Sequence, residues 1–142
     1  MMKISKPRII LDTNVLLVSL APQSPYYFIF EAMIEERFEL VVHNEIISEY
    51  EEVISKRYNS AIVNDVLEMV LHLDNTVKQD IYFKWNLIQK DPDDNKFVDI
   101  YLASGADYLV TNDRHFDILK DIGFPKINLL TAEEFIEMLK VI

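Results

Sequence analysis

The chain contains no cysteine and only two glycines among its 142 residues. Without cysteine, the protein can form neither disulfide bonds nor thiolate metal sites. The two glycines, Gly105 and Gly123, lie too far apart to build one of the glycine-rich loops that bind phosphate groups. These absences exclude several large classes of enzyme and of small disulfide-bonded proteins.

Long apolar runs are also missing, since no stretch approaches the ~20 apolar residues that span a membrane. Residues 1–7 carry two lysines, but the apolar run that follows them is interrupted at Asp12 and Asn14, unlike a secretory signal. We therefore expect a cytoplasmic protein that does not act at membranes. A length of 142 residues fits a single domain covering 1–142.

Basic residues are scarce. The chain has 14 Lys and Arg residues but 24 Asp and Glu residues, which gives a formal charge of −10. Non-specific binding to nucleic acid depends mainly on basic side chains, so this balance argues against it. An acidic protein can still act on RNA if its carboxylates bind divalent cations or if oligomerisation supplies a positive surface. The simpler interpretation, that the net charge serves solubility, remains an alternative.

Short apolar runs rich in β-branched residues alternate with segments of helical periodicity. Strands are predicted at residues 8–11, 38–42, 108–111 and 126–130, with a further short strand near Val77 or Leu87. Helices are predicted at residues 24–37, 44–57 with Asn44 as N-cap, 60–73, 95–104 and 114–120, and a capping box of Thr131 and Glu134 opens the last one. This alternation predicts an α/β fold with a parallel sheet that is covered on both faces.

Three aspartates are predicted at the sheet edge where the strands end. Asp12 directly follows the first strand, Asp113 follows strand 108–111 after one residue, and Asp94 stands at a helix start on the same edge. In parallel sheets, functional sites form beyond the carboxyl ends of the strands. Clustered carboxylates repel one another unless a cation lies between them, and such open oxygen sites suit Mg²⁺ or Mn²⁺.

Each of these aspartates also has a purely structural interpretation. Asp94 stands where a helix cap is the commoner role, Asp12 can be a turn residue, and Asp113 can cap the helix that follows it. Because all three are predicted at one edge of the sheet, we favour a metal site.

The predicted helix 44–57 supplies a fourth acid. At ~100° per residue, Glu49 lies beside the apolar stripe of this helix, whereas Glu51 points nearly opposite. Most glutamates in such a charge run are solvated, and this remains the alternative for Glu49. Five residues turn a helix by roughly 140°, so Asp94 and Asp99 do not readily share one metal face. Candidates of second rank are Asp93, Asp99 and Asp117.

Four stretches, taken in this order, resemble the PIN-domain nuclease family. They are LDTNVL (11–16), SEYEEV (48–53), DPDDNKFVD (91–99) and ADYLVTNDRHF (106–116). The pattern is most similar to the bacterial toxin branch, the VapC-like proteins and the related PIN-family toxins of toxin–antitoxin systems. It extends over nearly the whole chain, from the first strand to the last helix.

This resemblance implies a three-layer α/β/α PIN-like domain with a central parallel sheet and an Mg²⁺- or Mn²⁺-dependent endoribonuclease activity. It also implies an RNA substrate, a homodimer and a cognate antitoxin protein. The family's four catalytic acids map to Asp12, Glu49, Asp94 and Asp113. Asp12, Asp94 and Asp113 are then the metal ligands, and Glu49 either binds a second ion or orients the attacking water.

Other residues near the acids are assigned lesser roles. The supporting residues are Asn14, Thr111 and Asp99, and the candidates for contact with RNA are Lys96 and Arg114. Asp91, Asp93 and Asp99 crowd the region of the third acid, and Asp94 fits best because Gly105 follows at the helix end. The three histidines, including His115 near the predicted site, show no metal-ligand spacing, and Trp85 is expected to serve packing.

Other protein classes fit this sequence less well. A receiver domain needs a pair of adjacent acids after its first strand and an acceptor aspartate ending a central strand. Here Asp12 stands alone and strand 38–42 is followed by His43. A haloacid-type phosphatase needs a D-x-D motif, and Asn14 occupies its second position. A PIN-like module that binds a protein partner without catalysis remains the non-enzymatic alternative.

Overall fold

A parallel sheet of five strands forms the centre of the computed structural model, which describes residues 6–89 and 91–142. The strands are β1 (Arg8–Leu11), β2 (Glu39–Val42), β3 (Thr76–Lys78), β4 (Tyr108–Val110) and β5 (Leu129–Leu130). Their order across the sheet is β3-β2-β1-β4-β5, and every neighbouring pair is parallel. The predicted parallel α/β fold is confirmed.

In the part of the chain that the structure describes, six α-helices and two 3₁₀ helices lie between these strands or after the last of them. The α-helices are α1 (Thr13–Ser19), α2 (Tyr27–Ile34), α3 (Asn44–Ser55), α4 (Ser60–His72), α5 (Asn95–Ser104) and α6 (Ala132–Val141), and the 3₁₀ helices are Pro92–Asp94 and Arg114–Asp121. Within the described parts of the chain, none of the helices is both long enough and apolar enough to pass through a bilayer.

The strand order explains why helices cover both faces of the sheet. The chain steps from β1 to β2 and β3 in one direction and then crosses back to β4 on the other side of β1. Crossovers between parallel strands are right-handed, so reversing the direction places α5 on the face opposite to α1–α4. Helix α5 packs against β1, β2 and β4, whereas α6 contacts α2. The result is the predicted three-layer α/β/α arrangement.

The central strand β1 determines where the functional edge lies. Ile9, Ile10 and Leu11 are fully buried, as the continuous apolar runs of central parallel strands require. Leu11 pairs with Val110 in the register of β1 and β4. The residues that follow these two, Asp12 and Thr111, therefore emerge side by side at the carboxyl edge of the sheet.

Helix α1 is not among the predicted elements. Its residues Thr13, Val15, Leu16, Leu17 and Ser19 are all buried, so the segment has no polar face and no helical periodicity. An amphipathic pattern is the main sequence signal for a helix, and a helix buried on nearly every side lacks it.

Several predicted boundaries are wrong. His43 caps α3 in place of Asn44, because the His43 Nδ1 atom accepts a hydrogen bond from the Glu45 N–H (3.2 Å). Helix α2 is shorter than residues 24–37, segment Arg114–Asp121 is a 3₁₀ helix, and β5 has two residues where 126–130 was predicted. The additional strand lies at Val77 and not at Leu87.

Residues 79–89, between β3 and the first 3₁₀ helix, have no regular secondary structure and run alongside α5. The Trp85 N–H donates to Asp99 Oδ1 (3.0 Å). The buried side chain of Asn95 bonds both backbone groups of Ile88, accepting from its N–H (2.8 Å) and donating to its carbonyl oxygen (2.8 Å). These three bonds hold the irregular segment against the start and middle of α5.

Candidate active site

The carboxyl ends of β1 and β4 open into a cavity of about 330 Å³, which we call the acid cavity. Its lining is predominantly acidic: Asp12, Thr13, Asn14, Glu49, Glu52, Val53, Asp91, Asp93, Asp94 and Asp113. The structure thus brings together the four acids that the sequence assigns to catalysis. The cavity also includes Asp93, a candidate of second rank, Asp91 from the crowded region of the third acid, and Glu52, one turn after Glu49 on α3.

Asp12 lies at the base of the acid cavity and is only 6% exposed. Its backbone N–H donates to the Val110 carbonyl oxygen (3.0 Å), and its Oδ2 atom accepts a hydrogen bond from the Thr111 hydroxyl (2.8 Å). Burial raises the pKa of Asp12 above its ordinary value, and the charges of Glu49 and Asp113 add to the effect, against the Thr111 hydrogen bond. Asp12 is therefore fixed in position, and the negative charge on its carboxylate is unfavourable unless a cation lies beside it.

Thr111 links Asp12 to Asp113. Its hydroxyl oxygen, which donates to Asp12, also accepts a hydrogen bond from the Asp113 N–H (3.0 Å). The Asp113 carboxylate accepts from the His115 N–H (2.9 Å) and so caps the second 3₁₀ helix. Asp113 is therefore both a helix cap and part of the cavity wall, and Thr111 sets its distance from Asp12.

Glu49 faces the acid cavity from α3 and is held on both of its carboxylate oxygens. Lys96 Nζ lies 2.7 Å from Oε1, and the Thr13 hydroxyl donates to Oε2. The next residue, Tyr50, is fully buried and donates its hydroxyl hydrogen to the Leu11 carbonyl oxygen (2.7 Å), which fixes α3 to the end of β1. Glu49 is consequently ordered, unlike a freely solvated glutamate.

Asp94 stands at the N-terminus of α5, but its side chain makes no capping hydrogen bond. Its Oδ2 atom is buried and, among the described residues, has no hydrogen-bond partner. Burial and the charges of Asp91, Asp113 and Asp12 raise its pKa to about 7. The helix-cap interpretation of Asp94 is wrong. A buried carboxylate oxygen without a donor, inside a ring of acids, matches the oxygen-rich ligand set of Mg²⁺ or Mn²⁺.

His115 lies closer to the acids than the sequence suggests. Its Nδ1 atom is 3.3 Å from Asp113 Oδ1 and 3.8 Å from Asp91 Oδ2. Potential ligand atoms of Asp91, Asp94 and His115 lie within 4.8 Å of one another, a spacing that can hold a metal ion. The spacing of histidines along the chain does not reveal this group, because its members come from two separate 3₁₀ segments. The only sequence signal is that Asp91 and His115 closely flank predicted acids.

Other predicted residues lie outside the acid cavity or are engaged elsewhere. Asp99, assigned a supporting role, is buried on α5 against Trp85 and does not line this cavity. Asp117 pairs with Lys120 on the protein surface (3.3 Å). Lys96, a candidate for RNA contact, is bound to Glu49 and only 13% of its side chain is exposed. Arg114, the second candidate, lies beside His115 in an adjacent groove.

Replacing Lys96 with glutamine should lower the free energy of unfolding by about 1–2 kcal/mol, because a half-buried carboxylate loses a charged hydrogen-bond donor. Chemical denaturation measures this change. The matched control is Lys56→Gln, which breaks an exposed pair with Glu52 (3.8 Å) and should change stability by less than ~0.5 kcal/mol. Equal effects of the two substitutions would show that the Lys96–Glu49 pair stabilises the protein no more than an exposed ion pair does.

The sheet order and the acid cavity define an α/β domain with a cluster of carboxylates at the carboxyl edge of its two central strands. The family model of the PIN domain matches residues 8–115, from β1 through β4 and all four predicted acids. The chain belongs to the PIN-domain family, whose members are generally nucleases.

Solved structures with a similar fold include the following two. One is a chain of VapBC2 from Rickettsia felis, crystallised with a DNA fragment from its promoter; it has a TM-score of 0.60 and 17% identity, over 87% of this chain and 98% of that one. The other is the RRP44 PIN domain of T. brucei, with a TM-score of 0.50 and 16% identity, over 96% of this chain and 83% of that one. No curated protein matches the chain in sequence.

Proposed function

We propose that this protein is a metal-dependent endoribonuclease that hydrolyses RNA phosphodiester bonds in the acid cavity. The observation that carries the proposal is the buried Oδ2 atom of Asp94, which has no donor among the described residues and faces a group of like charges. A site with this many carboxylates is electrostatically balanced only when a divalent cation joins it. Asp12, Asp94 and Asp113 are the residues that would hold one or two Mg²⁺ or Mn²⁺ ions.

The bound cation would neutralise charge on the scissile phosphate and lower the pKa of a water molecule. The protein's own residues set the geometry of the reaction. Thr111 aligns Asp12 with Asp113, while Lys96 and Thr13 hold Glu49 so that its carboxylate orients the attacking water. Attack forms a bond from the water oxygen to phosphorus and breaks the bond to the 3′ oxygen. The products are a 5′-phosphate and a 3′-hydroxyl.

We also propose that the protein is the toxin of a type II toxin–antitoxin pair, that it forms a homodimer in the cytoplasm and that a cognate antitoxin inhibits it. The motif pattern of the toxin branch and the similarity in fold to a chain of VapBC2 support this part of the proposal. The formal charge of −10 also fits a basic antitoxin, because a positively charged partner would offset the self-repulsion of the acidic chain.

A pool of mixed RNAs tests the proposed activity. Purified full-length protein, freed of any partner, is incubated with the pool in Mg²⁺, in Mn²⁺ and in EDTA, and the ends of the fragments are mapped. We expect cleavage in at least one metal, none in EDTA, and 5′-phosphate ends. If folded protein leaves the RNA intact in both metals, the result would contradict a general ribonuclease and favour either a narrow RNA target or a PIN-like module that binds a partner without cutting.

A further inference from the structure

Beside the acid cavity lies a second cavity of about 510 Å³, which we call the side groove. It is lined by Leu87, Ile88, Gln89, Arg114, His115 and Ile118. His115 belongs to both places, since it lines the side groove and lies 3.3 Å from Asp113 in the acid cavity. A ligand in the side groove would therefore sit next to whatever is bound by the acids.

One part of the groove wall is apolar and already in place. Ile118 is 52% exposed, and Leu87 is only partly buried. The two hydrogen bonds between Asn95 and Ile88 hold this wall against α5 (2.8 Å each). The groove thus offers an apolar surface against which a flat apolar ligand can pack. Binding would not first have to order residues 87–89.

The other part of the groove is polar and cationic. Arg114 is exposed and, over residues 6–89 and 91–142, forms no ion pair, although aspartates surround it in sequence. A guanidinium group binds phosphate through two parallel hydrogen bonds. Gln89 offers both a donor and an acceptor, which suits the edge of a nucleobase. The ligand that matches these walls has a flat apolar ring, polar edges and a negative charge.

We infer that the side groove binds one unpaired nucleotide of the RNA strand beside the bond that is cut. The base packs against Leu87 and Ile118, and the phosphate of that nucleotide contacts Arg114. The inference rests on the proposed nuclease function and specifies where one nucleotide of the substrate lies. A base within a duplex is excluded, because both of its faces are already stacked and its edge is paired.

A binding experiment tests this inference apart from catalysis. All proteins carry Asp12→Asn, so that a labelled single-stranded oligonucleotide in Mg²⁺ remains intact during the titration. Ile118→Ser should weaken binding about tenfold, as expected for loss of the surface against which one base packs. Arg114→Gln should also weaken binding about tenfold, because it removes the contact with the phosphate. The matched control is Lys120→Gln on the same 3₁₀ helix, which pairs with Asp117 outside the groove and should change affinity less than about twofold.

A single abasic nucleotide, moved along the oligonucleotide, identifies the base concerned. At one position it should weaken binding to the parent about tenfold, yet add little to the loss caused by Ile118→Ser, because both changes remove the same contact. Unchanged affinity in both groove variants would overturn the inference, and so would additive losses or an absence of oligonucleotide binding. If Ile118→Ser changed only the oligomeric state in solution and not the affinity for the oligonucleotide, the groove would be a protein interface.

The two proposals fail in different ways. In one case the unaltered protein cleaves RNA, and Ile118→Ser and Arg114→Gln bind the oligonucleotide normally. This result would support the proposed nuclease function and overturn only the inference about the side groove. In the other case these two variants bind more weakly, but the unaltered protein cleaves no RNA in any metal. This result would support nucleotide binding in the side groove and overturn the proposed nuclease function. Thermal melting verifies that each variant is folded, and the exposure of both side chains makes large losses of stability unexpected.

Discussion

Asp12→Asn should reduce RNA cleavage by roughly a hundredfold to a thousandfold while leaving the fold intact. The amide oxygen of asparagine still accepts the Thr111 hydrogen bond, so the geometry of the site is kept. The substitution removes a metal-binding charge, and cleavage depends on that charge. Rates are measured at pH 8, above the pKa of about 7 of Asp94.

The same substitution should stabilise the metal-free protein. Asp12 is buried, and the charges of Glu49 and Asp113 oppose its ionisation. Removing its charge should therefore raise the melting temperature by roughly 3 °C, equivalent to about 1 kcal/mol. The matched control is Asp65→Asn on the exposed side of α4, which should alter neither rate nor melting temperature. Normal cleavage by Asp12→Asn would remove Asp12 from the catalytic assignment.

Without divalent cations, the protein should lose stability as the pH rises from about 4 to about 7. Burial and neighbouring carboxylates raise the pKa of Asp94 from its ordinary value of 3.8 to about 7. The folded protein thus keeps a proton that the unfolded chain releases in this range, and stability falls as the folded state gives it up. We expect the melting temperature to drop by roughly 5 °C, after allowing for solvent screening.

Mg²⁺ or Mn²⁺ should reverse this loss at pH 8. A cation that binds only the folded protein stabilises it by about 2.7 kcal/mol at one hundred times its dissociation constant. Asp94→Asn should abolish most of the pH dependence and most of the response to metal, whereas Asp121→Asn, at an exposed position, should change neither. Identical pH profiles for the unaltered protein and Asp94→Asn would show that another group titrates. Thermal melts across pH, with EDTA and with each metal, measure both effects.

The sequence predicts those parts of the site that depend on local patterns. Glu49 is found from its position beside an apolar helical stripe, and Asp12 and Asp113 from their positions after buried strands. Each of these signals is contained within one element. The pairing of Leu11 with Val110 then brings Asp12 and Asp113 together, as expected for neighbouring parallel strands.

Features that depend on packing between distant segments could not be predicted in the same way. Lys96 appears as a surface cation in the sequence, yet it is directed onto Glu49 of another helix. His115 approaches Asp91 because two 3₁₀ segments converge, and neither segment contains a pattern that announces the other. Helix α1 was missed for a different reason, since burial on nearly all sides erases its periodicity. Such features depend on tertiary contacts, which a single sequence does not display.

The direct pairing of β1 with β4 has a consequence for synthesis of the protein. A chain still on the ribosome that has reached only α4 contains Asp12 and Glu49, but it lacks Asp94 and Asp113 and the strand that flanks β1 on one side. The acids are therefore assembled late in translation, after most of the chain has been made. A message cut short before β4 would encode a fragment without Asp113, so the acid cavity can form only after β4 has been made.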